Sequence, residues 1–263
     1  MRRRGWAESS ETSPLLIENP RGGFAFLRGI APYSAGAVAL SGFAVEHATF
    51  ARVLPLRDGF AAIDAHLKAL GRPRQALCGI ELRSPRPFTF EGFRDFNAGY
   101  VDILKDWRIL LDGGVNPVAR TNVAPEVNPP AEPGMFGFSF TVPARTAVKT
   151  FVVAGAGELP EGSLEPQDVV RRGETSPDAL AEKIRFVMGL MSGRLQGLGV
   201  GWQEATAISV YTVHNIFAAL PREILKPMGL ATRRGFVWHF TRPPIVSIEY
   251  EMDLRGCLHE WVL

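Results

Sequence analysis

Three landmarks recur along this chain at almost one interval: Gly42 and Gly157 stand 115 residues apart, Arg120 and Arg234 stand 114 apart, and Met135 and Glu249 also stand 114 apart. One match could arise by chance in an apolar chain; agreement at three landmarks points to a duplicated unit. The predicted elements recur with them. In the first half, strand character over 22–27 and 37–44 precedes a helix over 58–70, whose Phe60, Ile63, Leu67 and Leu70 share one face and which stops at Gly71. A strand over 76–82, a helix over 90–107 with Phe93, Phe96, Tyr100, Ile103 and Leu104 on one face, and strands over 118–124 and 135–142 complete it. The second half repeats the order with a strand over 150–160 and a long helix over 176–197. Ser176 caps that helix, and Ile184, Val187, Leu190, Met191 and Leu195 form its stripe. A strand over 206–213 and a short helix over 217–226 follow.

The chain thus divides into a polar segment, 1–22, a first unit, 23–144, and a second unit, 145–263, with the boundary at Pro143-Ala144-Arg145. At 46% apolar residues each unit holds a real core. A net charge of +2 lacks the clustered Lys and Arg of a phosphate-tracking surface, so nucleic acid is not an expected partner; Arg2-Arg3-Arg4 reads as a frayed tail. No apolar run approaches the ~20 residues that cross a bilayer. The stretch 5–11 has no apolar signal core, and two widely spaced cysteines, Cys78 and Cys257, read as buried thiols in a reducing compartment. The expected location is the cytoplasm.

Residues 232–240 and 245–252 carry the aromatic and β-branched residues of strands on either side of Pro243-Pro244, and together read as a hairpin. It would set Arg234, a planar fork suited to a substrate carboxylate, beside Glu249, a carboxylate able to hold water or pass a proton. The same two residues also fit surface charges flanking a sheet. Glu251 reads as a strand-surface carboxylate, and His214 and His239 as packing residues. No His, Cys, Asp or Glu cluster has metal-ligand spacing, and 154–157 lacks the helix start of a dinucleotide fingerprint, so neither a metal nor a cofactor is expected.

At these residues the chain resembles the Rid family, the YjgF-type reactive intermediate deaminases formerly described as endoribonuclease L-PSP. Ala156-Gly157-Glu158-Leu159-Pro160, Arg234 and Glu249, with Glu249-Tyr250-Glu251, match its strand end, arginine and glutamate motifs. In the first unit Ser41-Gly42-Phe43-Ala44, the helix 93–100 with Asn97, and Pro117-Val118-Ala119-Arg120 match, but Met135 takes the glutamate position and cannot activate water. The resemblance implies an α+β fold of two tandem chorismate-mutase-like domains, each a mixed sheet with helices on one face, and packing in rings of three, with a homotrimer favoured. It implies hydrolysis of enamines or imines of amino acids to a 2-oxo acid and ammonia. Glu249 and Arg234 would be catalytic, Gly157 would contact substrate, and Arg120, Asn97, Ser41 and Gly42 would form a second carboxylate pocket. A binding protein or sensor for small carboxylates, and a different carboxylate-directed enzyme such as the tandem-domain chorismatases, are the competing readings.

Overall fold

A computed structural model of the chain describes residues 16–263. The expectations for the arginine run and for 5–11 lie outside the described residues. Leu16–Asn19, expected to belong to the polar segment, forms a strand, β1. The other strands are β2 (Phe24–Leu27), β3 (Gly36–Ala39), β4 (Phe43–Pro55), β5 (Leu77–Arg83), β6 (Ala119–Pro125), β7 (Gly134–Pro143), β8 (Phe151–Gly157), β9 (Ala207–Tyr211), β10 (Val237–His239), β11 (Thr241–Arg242), β12 (Glu251–Gly256) and β13 (Glu260–Val262). They build two mixed sheets, ordered β1-β2-β3-β8-β12-β9-β10 and β11-β6-β5-β7-β4-β13.

The three long helices form where the apolar spacing predicts them: α1 (Leu56–Ala69), α2 (Phe90–Asp106) and α3 (Pro177–Gly197). Thr89 and Ser176 cap α2 and α3, their hydroxyls accepting from Gly92 N and Ala179 N. Phe60, Ile63 and Leu67 of α1 and Tyr100 and Leu104 of α2 pack on the β5-β7-β4 sheet with Phe138 and Phe140. Burial is worth about 1.5–3 kcal/mol for each such side chain. α3 covers the other sheet with Ile184, Val187, Met191 and Leu195.

The uncovered faces of the two sheets meet each other. In β2 every residue is buried: Ala25 and Leu27 face the α3 core, whereas Phe24 and Phe26 join Ala37, Val45, Cys78 and Cys257 in a separate cluster between the sheets. Both cysteines are buried free thiols. The result is an α+β molecule in four layers, helix, sheet, sheet, helix. Among the described residues no helix is long and apolar enough to cross a membrane.

One topology occurs twice. In the order β6-β5-β7-β4, β5 and β6 run parallel and β7 is antiparallel to both its neighbours. In the order β10-β9-β12-β8, β9 and β10 run parallel and β12 is antiparallel to both of its own. The sheets also trade strands across the middle of the sequence. β1, β2 and β3 extend the sheet of β8–β10 and β12, while β11 and β13 extend that of β4–β7.

The expected hairpin of 232–240 with 245–252 does not form. β10 pairs with β9 on one side and β12 pairs with β9 on the other, so the two arms are separated by a strand. Pro243 and Pro244 cannot donate to a ladder, and the chain here leaves its sheet for the opposite half of the molecule. Phe88 N donates to Pro244 O at 2.7 Å, and Val246 N donates to Phe88 O at 2.9 Å. The short helix expected over 217–226 is a π-helical turn, Leu220–Leu225, running into Lys226–Met228.

Candidate active site

The crossing segment closes one side of a cleft between the two halves. Counted out to bulk solvent it holds about 660 Å³, and its walls include Tyr33, Arg120, Asn122, Gly155, Gly157, Glu161, Arg194 and Glu251. Most of these polar side chains are delivered by regular elements, whereas Tyr33 and Glu161 lie outside the helices and strands. Arg120 and Asn122, two residues apart on β6, project from one face of the strand. Lys183 and Arg194 are eleven residues apart on α3, three helical turns, so both lie on its sheet-facing side.

Arg120 is 3% exposed. Its Nη2 donates to Asn97 Oδ1 of α2 at 2.6 Å, and Tyr33, Phe93, Phe96 and Tyr100 surround the guanidinium with ring centroids 4.7 to 5.8 Å away. Nη1 has no partner, nor has Asn122 Nδ2 on the same strand face. Among the described residues no carboxylate forms an ion pair with Arg120. Burial lowers its pKa, and the hydroxyls of Tyr100 and Tyr33 raise it in part. A dry guanidinium with an open donor, beside a second open donor and a cleft, has the donor chemistry to receive an anion.

Glu251 opens β12, opposite Gly157 of β8 and Tyr211 of β9. It is 4% exposed, and its burial pushes the carboxyl's pKa well above the usual range; Asp253 adds to the rise, while Arg194 and Arg120 oppose it. Burial thus favours the neutral carboxylic acid, the form able to donate a proton. Its approach needs small neighbours: a Cβ at Gly155 would collide with Glu251 Oε1, and one at Gly157 with Ile248 Cγ2. The strand's entry is fixed from behind by Glu158. That fully buried carboxylate accepts from Lys183 Nζ at 2.9 Å, Glu249 N at 2.7 Å and Tyr250 N at 3.1 Å.

Of the residues singled out in the sequence, the structure joins Arg120 to Asn97 and sets Gly157 in the cleft wall. It does not bring Arg234 and Glu249 together. Arg234 is exposed at the end of a 3-10 turn, and Glu249 Oε2 lies 2.7 Å from His214 Nε2; neither lines the cleft. Ser41 and Gly42 form an exposed turn between β3 and β4, away from it. Met135 is fully buried in the core under α1. His239 stacks on Tyr211 at 4.8 Å, and burial lowers its pKa to about 4. Glu251, read from the sequence as a surface carboxylate, is instead buried in the cleft.

The repeat interval of 114 misses the acid by a few residues. β7 opens at Gly134 and β12 at Glu251, an offset of 117. Met252, facing the α3 core, therefore answers to Met135, and Glu249 does not. The sequence signal for Arg194 is a charged residue on the buried side of an amphipathic helix, three turns from Lys183.

Comparison with known proteins is consistent over nearly the whole chain. A model of the family "2-aminomuconate deaminase CnbZ" matches residues 16–261. The 2-amino-5-chloromuconate deaminase of Comamonas testosteroni is 45% identical over 245 residues, which cover 92% of this chain and 96% of that protein. Among solved structures, a chorismatase aligns over 93% of this chain and 80% of its own at 14% identity, with a TM-score of 0.43. A putative endoribonuclease from Thermotoga maritima aligns over 41% of this chain and 78% of its own at 16% identity, with a TM-score of 0.28. These two overlaps are too loose to bear on the site. The sequence matches show the family: the chain belongs to the 2-aminomuconate deaminase CnbZ family.

Proposed function

We propose that this protein hydrolyses enamine and imine acids of the 2-aminomuconate class to 2-oxo acids and ammonia, and that the cleft between its halves is where it does so. The observation that carries this reading is Arg120, a buried guanidinium with an open Nη1 and no carboxylate partner among the described residues, facing a cleft that also holds the buried Glu251 carboxyl. Family membership and the C. testosteroni relative support the reaction class.

The chemistry needs one carboxylate grip and one proton carrier. Arg120 and Asn122 hold the carboxylate next to the amino-bearing carbon. The Glu251 acid protonates the conjugated chain of the enamine, leaving a C2 iminium and a Glu251 carboxylate beside it. That carboxylate takes a proton from water as the water oxygen bonds to C2. It then passes the proton to nitrogen, which leaves as ammonia, and the remaining hydroxyl proton returns to Glu251 as the C2 carbonyl forms. Glu251 begins and ends protonated, and the net change is enamine plus water giving 2-oxo acid plus ammonia. All the cleft residues named come from one chain, so the trimer implied by the Rid resemblance enters this proposal as an assembly of complete sites. A duplicated ancestral unit and a cytoplasmic location belong to the same proposal.

The test is Glu251→Gln, which keeps the shape and removes the transferable proton. Ammonia release from 2-aminomuconate generated in situ is expected to fall about 10²–10⁴-fold in kcat with little change in KM. An unchanged kcat would remove Glu251 from the mechanism.

A further inference from the structure

The second guanidinium of the cleft differs from the first in already holding a carboxylate. Arg194 Nε and Nη2 donate to Glu161 Oε1 and Oε2 at 2.6 and 3.0 Å, a two-point grip, while Nη1 is anchored on Ala154 O at 2.8 Å. The partners are unequal. Arg194 is 8% exposed on the buried side of α3, whereas the Glu161 side chain is 48% exposed. Glu161 rides on a four-residue turn at the cleft wall, closed by Ser163 N donating to Pro160 O at 3.0 Å, with Gly162 at φ +82°. It makes no other side-chain hydrogen bond or ion pair among the described residues. Release of Glu161 returns a half-exposed carboxylate to water while Ala154 O keeps the arginine in place, so the fixed arginine can exchange its partner for another carboxylate.

We infer that Arg194 reads a second carboxylate on the substrate, and that Glu161 is a resident carboxylate occupying that place until a dicarboxylate displaces it. The inference rests on the deaminase reading for its substrate but on binding alone for its test. Charge counting favours it. With Glu251 in the protonated form that the proposed mechanism requires, the cleft holds two guanidinium groups and one carboxylate, Glu161; a monocarboxylate on Arg120 completes neutrality. A dicarboxylate keeps the balance only by taking Arg194 and releasing Glu161 to solvent, where its turn already exposes it. Arg194 and Arg120 line the same cleft as Glu161 and Glu251, and the charges of all four act on the Tyr33 hydroxyl, so both grips face one space. Selectivity for dicarboxylates then comes from Arg194, and Glu161 sets its threshold.

The experiment uses the full chain and two unreactive probes measured by titration calorimetry: muconate, with a carboxylate at each end, and 2,4-hexadienoate, with one. Wild type is expected to bind muconate more tightly. Glu161→Gln removes the competing charge at an exposed position and is expected to tighten muconate about 3- to 10-fold, while the hexadienoate Kd moves less than about 2-fold. Arg194→Lys, which keeps the charge and loses the fork, is expected to bring the two Kd values together. An unchanged muconate Kd in Glu161→Gln, or equal shifts for both probes, overturns the inference. Ammonia release is scored separately: selective tightening of muconate in a protein that releases no ammonia keeps this inference and refutes the deaminase reading, and the converse pair of results does the opposite.

Discussion

Arg120 offers a perturbation whose effects on function and on stability should have opposite signs. In the folded chain its guanidinium has lost nearly all its water and has in return one hydrogen bond from Nη2 to Asn97 and four ring faces. Desolvating such an ion costs several kcal/mol, and the rings return about 0.5–2 kcal/mol apiece without being additive. A well-packed apolar replacement is therefore near neutral or stabilising, provided Asn97 Oδ1 is not left orphaned, which would cost about 1–3 kcal/mol. The double variant Arg120→Met with Asn97→Leu meets that condition. Its melting temperature is expected to lie within a few degrees of wild type or above it, at about 2–4 °C per kcal/mol for a chain of this size. Its kcat/KM is expected to fall about 10²–10³-fold, the loss of about 3–4 kcal/mol held in two charge-assisted hydrogen bonds to a carboxylate. Arg120→Lys should fall between, since it restores the charge without the planar fork. Scanning calorimetry and steady-state ammonia release decide the matter. A double variant that melts far below wild type, with activity lost only in proportion to the unfolded fraction, would show that Arg120 serves the core and not the ligand.

Two further outcomes follow from neighbouring residues. Gly155→Ala puts a methyl group against Glu251 Oε1 and 3.1 Å from Thr121 Cγ2, at a position without positive φ, so it should displace the acid with little backbone strain. A kcat loss of about 10²-fold with a nearly unchanged urea midpoint is expected, and full activity would show that the Glu251 carboxyl need not be held there. His47 is 1% exposed between the sheets, and burial lowers its pKa to about 4, against the opposing pull of Glu81. Because the folded value lies below the ordinary 6.5, the unfolded chain binds more protons between pH 6.5 and 4. The stabilisation from neutral His47 is thus complete above about pH 6.5 and erodes as pH falls, by up to ~3 kcal/mol below pH 4. His239, also at about 4, erodes stability in the same direction. Urea midpoints measured from pH 7 to 4.5 should fall, and fall less steeply in His47→Gln; parallel curves would refute the assignment.

What the sequence made legible was local. The helices α1, α2 and α3 follow from apolar residues at helical spacing with Thr89 or Ser176 at the entry of α2 and α3, signals contained within some twenty residues. Arg120 and Asn97 were also within reach, through short motifs with a fixed order. The failed hairpin shows the other kind of information. Whether 237–239 pairs with 251–256 depends on whether β9, more than 25 residues upstream, lies between them, and no periodicity within the segment reports that. Glu249 and Glu251 have the same parity, so alternation could not choose between them. What separates them is that the ladder begins only at Glu251, after an irregular stretch in which Ser247 sits at φ +75°.

The shared topology also accounts for why the proposed acid, Glu251, comes from one half and the proposed grip, Arg120, from the other. At the head of β12 Glu251 faces the cleft and Met252 the core; at the head of β7 the corresponding places belong to Gly134 and Met135. Gly134 cannot be given an acid side chain in place, because a Cβ there would stand 2.6 Å from Leu54 O and 2.6 Å from Val53 Cγ1. β4 approaches Gly134 through an irregularity between Thr49 and Leu54, and its Val53 and Leu54 occupy the space over Gly134, whereas β8 meets Glu251 with Gly155 and Gly157 and leaves an opening beside it. In that opening the chain after β8 turns outward through Pro160–Ser163, admitting Arg120 from the first half and Arg194 from α3. A site of this composition therefore cannot be split into two equivalent copies: a side chain at Gly155 would displace the acid, and a carboxylate at the Gly134 position would meet backbone before it met a ligand.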